Sequence, residues 1–194
     1  MKRALLLALV PLLAISTASR ADFYSYQPVP ADLYDLDHAK AYTWGIQLGL
    51  PADQVVQSAY LSFKQLRDDT TNDRLYIHLL DTAPLGVTVL SDPVSGNSDY
   101  FGSQGILLTV FANVPSTASD RMYTLTAAQV ATLNQYGADG RIGIGLDPDC
   151  HYYNCGVTLG LCTTAVPEPA TMAFLAVGGG MMLFRRVRRG RQVA

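Results

Sequence analysis

Two polar stretches hold the residues of this chain best suited to chemistry. The first carries Asp147, Asp149, Cys150, His151, Tyr152, Tyr153, Asn154 and Cys155, and the second Asp68, Asp69, Asn72 and Asp73. Carboxylates spaced with an amide and main-chain carbonyls suit calcium, which takes about 6–8 oxygens, although neither stretch has the EF-hand spacing. Tyr152 and Tyr153 beside those polar groups suit the face of a sugar ring, and the 147–154 loop is the predicted ligand loop. Against this stands a plainer reading: the aspartates cap turns, and one tyrosine packs beneath the loop. Cys150 and Cys155 bracket a turn and are the pair predicted to bridge, with three free thiols as the alternative. Cys155 and Cys162 would lie along one strand, up to about 23 Å apart at about 3.3 Å per residue, too far for a disulfide. Zinc is disfavoured, because Cys150, His151 and Cys155 supply only three ligands at unsuitable spacing.

Other chemistries are absent from the pattern. There is no nucleophile elbow, phosphate loop or dinucleotide fingerprint. Cys150 and His151 are adjacent, so a regular strand cannot turn both toward one site. With so many aspartates, some carboxylate pair will be close by chance. The body is therefore predicted to be non-enzymatic, with no cofactor other than calcium. Between residues 22 and 164 stand fifteen aspartates against six lysines and arginines. A domain that acidic, with no basic patch, is a poor partner for nucleic acid.

The elements that must position these residues read as strands. Tyr42, Trp44 and Ile46 alternate with Ala41, Thr43 and Gly45, which predicts a strand over 38–46 with Trp44 in the core. A second strand follows from Val55 to Lys64, then a polar hairpin loop over 67–73 and a third strand to Asp81. Further strands are predicted over 86–90, 106–114 (buried on both faces), 141–146 and 156–163. The 91–105 stretch is a long Gly, Ser, Asn and Asp loop. One helix interrupts the series: Thr126 and Gln129 form a capping box, Val130, Leu133 and Tyr136 follow at helical spacing, and Gly137 ends it. Short strands with one helix predict an antiparallel β-sandwich, jelly-roll-like.

Both ends read as addresses. Lys2 and Arg3, an apolar run to Ile15, and small residues to Ala21 have the order of a secretory signal peptide over 1–21, cut before Asp22 or, as the alternative, before Ser19. Export would place the cysteines where disulfides form readily. The C-terminal segment, 165–194, holds Val166, Pro167, Glu168 and Pro169, then an apolar run over 170–184, then Arg185, Arg186, Arg188, Arg189 and Arg191. Arginines only on the far side orient such a run with that end in the cytoplasm. The run would form a helix of roughly 22 Å, a short transmembrane span that leans on snorkelling arginines.

This order of motif, apolar run and basic tip resembles the PEP-CTERM sorting signal of Gram-negative surface proteins. The resemblance covers about the last thirty residues. It implies an exosortase-like processing enzyme that acts at or near Glu168, anchoring in the inner membrane during sorting, and release to the cell surface or extracellular space, often alongside exopolysaccharide. The stretches from Asp37 to Ile46 and from Asp147 to Asn154 also resemble segments of other proteins with this signal. The expectation for the body, residues 22–164, is a structural or adhesive role, with a carbohydrate-binding module, calcium-dependent or not, as the alternative.

Overall fold

The structure is a computed structural model that describes residues 21–166 apart from 34, 71 and 94–97. In chain order the elements are β1 (Ala21–Tyr26), β2 (Asp35–Leu36), β3 (Lys40–Gln47), β4 (Gln54–Asp68), β5 (Arg74–Leu80), β6 (Gly86–Ser91), β7 (Ile106–Ala112), β8 (Ser119–Thr124), α1 (Ala127–Tyr136), β9 (Arg141–Pro148), β10 (Tyr152–Tyr153) and β11 (Val157–Ala165). The leader, the residues of the sorting motif after Val166, the span expected over 170–184 and the basic tail all lie outside the described residues. Among the described residues no helix is long and apolar enough to cross a membrane.

All ladders between named strands are antiparallel and form two sheets. In the second sheet the order is β6-β3-β9-β5-β7. In the first, β4 is the central strand. It pairs with β8 on one side and with β10 and β11 in succession on the other. Tyr152 lies opposite Asp68 and Val157 opposite Phe63, in one continuous register. Between them Lys64 N donates to Gly156 O at 2.8 Å and Cys155 N to Lys64 O at 2.8 Å, so β10 and β11 are two lengths of one interrupted strand. Beyond them β1 pairs with β11 and β2 with β10.

Period-two alternation builds the core. Tyr42, Trp44 and Ile46 of β3 and Leu75, Ile77 and Leu79 of β5 meet Leu61 and Phe63 of β4 and Leu159 and Leu161 of β11 in one apolar cluster. Burying each such side chain contributes about 1.5–3 kcal/mol, which is what holds the sheets face to face. Trp44 is in this core, as its alternation predicts. A second, small cluster covers the outer face of β3 and β9, where Ala41, Leu80 and Phe101 pack together. There the loop after β6 lays Phe101 against Gly145, whose missing Cβ would sit 3.0 Å from the ring.

Two readings of the sequence need correction. The 67–73 stretch is not a hairpin loop, because β4 and β5 lie in different sheets and the chain crosses between them there. The strand over 106–114 is not buried on both faces: β7 is a sheet edge, with Leu108 as its one buried residue. The described strands reach Ala21, which pairs with Thr164, and Ala165, which pairs with Gln54. The helix is as read, with its capping box at Thr126 and Gln129 and Gly137 as its C-cap; a 3-10 turn follows and exits at Gly140 (φ 87°).

Candidate metal centre

The 147–154 loop does not act as one ligand mouth. Strand alternation sends its side chains to different places. Asp147, 1% exposed, turns toward the loop after β6 and accepts a hydrogen bond from Tyr100 N at 2.7 Å. Burial first, then the neighbouring Asp92, Asp99 and Asp149, push its carboxyl up to about 6, against the pull of the Tyr100 N–H. Close by, His78 Nε2 lies 2.9 Å from Asp99 Oδ2, and Asp99 Oδ1 accepts from Phe101 N at 3.0 Å.

Tyr152 points into the fold and is fully buried, so a sugar platform made of both tyrosines is ruled out. Burial, then Asp68, Asp73, Asp149 and Cys150, drive its hydroxyl well above the usual phenol range. Asp68 is also fully buried. Its Oδ1 accepts from Thr70 N and Thr70 Oγ1, both at 3.0 Å, and Thr70 Oγ1 also contacts Asp73 Oδ2. Asp68 Oδ2 and the Tyr152 hydroxyl have no hydrogen-bond partner among the described residues. Asp68 and Asp73 of one calcium candidate thus meet Cys150 of the other stretch, while Asp147 and Asn154 are engaged elsewhere. Ligand atoms of Asp68, Asp73 and Cys150 lie within 4.8 Å of one another.

Tyr153 faces the other way, half-buried, with the Arg67 guanidinium 4.5 Å above its ring. The two line a cleft of about 380 Å³ with Asp35, Gln65, Asn154 and Cys155. Asn154 is mostly structural: its Oδ1 accepts from Leu33 N at 3.3 Å and Gly156 N at 3.2 Å, closing the break between β10 and β11. The bridge expected between Cys150 and Cys155 is not formed. All three cysteines are free, Cys150 Sγ lying 3.1 Å from Thr70 Oγ1 and Cys155 Sγ 3.0 Å from Gln65 Oε1.

His151 meets residues that spacing alone could not bring to it. Its Nδ1 lies 2.8 and 3.0 Å from the two oxygens of Asp35, a pair 116 residues apart in the chain. Its ring packs edge-on against His38, with centroids 5.0 Å apart. Asp37 completes the group, Oδ1 lying 3.4 Å from His38 Nδ1 and Oδ2 3.4 Å from Lys40 Nζ. The Ala39 N–H, then Lys40 and His38, hold the Asp37 carboxyl below the usual carboxylate range. The only warning in the sequence is that both segments, Asp37–Ile46 and Asp147–Asn154, carry a histidine beside aspartates.

No protein-family model matches this chain. No curated protein matches it either. Among solved structures it is similar to a recombinantly expressed latent aurone synthase (polyphenol oxidase), at 11% identity and a TM-score of 0.41. The match covers 73% of this chain and 27% of that one, and at this level it carries no argument about function.

Proposed function

We propose that this chain is an exported protein, sorted through the inner membrane by an exosortase-like enzyme, with a body that serves a structural or adhesive role at the cell surface or in the extracellular matrix. One observation supports this most: the described strands run from Ala21 to Ala165, overlapping each address-like segment by one residue. Its ends leave from paired strands, Ala21 lying opposite Thr164. The sandwich is of jelly-roll type. With β6 set aside as an added edge strand, and β1/β2 and β10/β11 each counted once, eight strand positions remain. They pair in the orders 1-8-3-6 and 2-7-4-5, the arrangement of a jelly roll. Glu168, flanked by Pro167 and Pro169 in the sequence, is the residue for the processing enzyme to recognise. Glu168→Gln should accumulate the unprocessed chain in the inner membrane, and deleting residues 185–194 should let the body leave unanchored. Normal processing of the Glu168→Gln chain would overturn the motif's role.

A calcium-dependent carbohydrate-binding module is the second reading, favoured by the Tyr153–Arg67 cleft and by the cluster of Asp68, Asp73 and Cys150. Leaving a buried polar group unpaired costs about 1–3 kcal/mol. A hard cation would satisfy Asp68 Oδ2, which has no partner among the described residues. On this reading Tyr153→Ala weakens glycan binding by about 1–3 kcal/mol through lost apolar contact. Asp68→Asn should remove any calcium dependence. A glycan screen with and without calcium tests it: no affinity in either condition leaves the structural role.

A further inference from the structure

We propose that Asp37, His38 and His151 form a binding site for a first-row transition-metal dication of the zinc type, with Asp35 as the residue that positions the His151 ring. This site is separate from the buried acidic cluster and independent of the sorting reading.

The fold builds it from strand register. β2 and β10 pair with Leu36 opposite Tyr152 and Asp35 opposite Tyr153. One step further along the same register, Asp37 falls opposite His151. Leu36 and Tyr152 are fully buried, so alternation turns Asp35, Asp37, His151 and Tyr153 to the outer face together. His38 follows at the turn into β3 and brings its ring against His151. One ligand atom from each of Asp37, His38 and His151 then lies within 4.8 Å of the others, close enough for one ion to gather them.

The chemistry of the donors selects the metal. Two imidazoles with a carboxylate suit zinc, copper or nickel, whereas calcium and magnesium prefer an all-oxygen set. Three protein ligands leave a fourth tetrahedral position open, the arrangement of zinc sites that bind water or an exogenous ligand. Asp35 supplies the supporting contact such sites need. A ligating histidine almost always donates its other ring N–H to a carboxylate or carbonyl, which fixes the tautomer and the ring orientation. The Asp35 carboxylate occupies the Nδ1 side of His151, leaving Nε2 as the nitrogen that can carry a metal.

The test uses the full chain in detergent, without a polyhistidine tag, stripped with chelator and titrated with Zn²⁺ by calorimetry. The expected result is one equivalent bound at micromolar Kd or tighter. His38→Gln and His151→Gln should each weaken it at least tenfold, and Asp35→Asn by about 10–100-fold, the usual range for a lost supporting contact. Asp68→Asn should leave it unchanged. These side chains are at the surface, and matching far-UV spectra will show that the variants fold. Co²⁺ in place of Zn²⁺ should give the visible bands of a tetrahedral site with nitrogen donors. No saturable binding below millimolar Zn²⁺, or an affinity unaffected by both histidine variants, overturns the proposal.

Discussion

Asp147→Asn should stabilise the body at neutral pH and have almost no effect in acid. Asp147 is 1% exposed and its carboxyl is pushed up to about 6 from an ordinary 3.8. The folded state therefore holds that proton more tightly than the unfolded chain does. The associated stability is fully present below about pH 4 and is lost as pH rises through about 6. At about 1.4 kcal/mol per unit, two units correspond to roughly 3 kcal/mol given up by the wild type at neutral pH. Asparagine removes the titration, keeps an oxygen to accept from Tyr100 N, and adds an amide donor among the acceptors Asp92 and Asp99. Titrating groups that do not interact with Asp147 are common to both proteins and cancel in the comparison, while Asp92, Asp99 and Asp149 are relieved of a like charge in the variant. Urea denaturation at pH 7.5 and pH 4 should then show the variant about 2–3 kcal/mol more stable at the higher pH and within a few tenths at the lower. A variant no more stable than wild type at pH 7.5 would refute the reasoning. It would mean that the buried carboxylate is compensated by a positive charge.

Three further outcomes follow from single contacts. Gly45→Ala should cost about 1–3 kcal/mol or more, as overpacking does, because the new Cβ would sit 2.1 Å from Pro84 O; an unchanged melting temperature would contradict that packing. Gln129 accepts from Thr126 N at 2.9 Å and Tyr123 Oη at 2.8 Å and donates to Leu108 O at 2.8 Å. Gln129→Leu should therefore destabilise by about 2–3 kcal/mol at about 1 kcal/mol per bond, measured by chemical denaturation. Alkylation of unreduced protein followed by peptide mapping should label all three cysteines, the exposed Cys155 first, and a protected Cys150–Cys155 pair would contradict the free thiols.

What the sequence reveals here is local, and what it hides is pairing. Alternation in 41–46 identifies the face of β3 that enters the core, and Thr126 with Gln129 marks the start of α1, because both are set by residues within a few positions of one another. Alternation does not name a strand's partner. Two strands joined by the polar 67–73 stretch look like a hairpin, whereas a sandwich can send them to opposite sheets. Strands β2 and β10, two residues each, are too short for any periodic signal, yet their register brings His38 and His151 into contact. The same limit applies to the 147–154 loop. Its residue types suggest one ligand mouth, while alternation through Pro148 and β10 divides them among the Asp92–Asp99 region, the Asp68 cluster and the outer face.

The intact mass of the mature protein, recovered from the surface of cells that carry a matching exosortase, tests the sorting claim most directly. The account predicts a chain that begins at Asp22 or Ser19 and ends at or near Glu168, without the apolar run and the arginines. A mature chain that still ends in Ala194 would contradict processing at the motif and leave the C-terminal segment as a simple anchor.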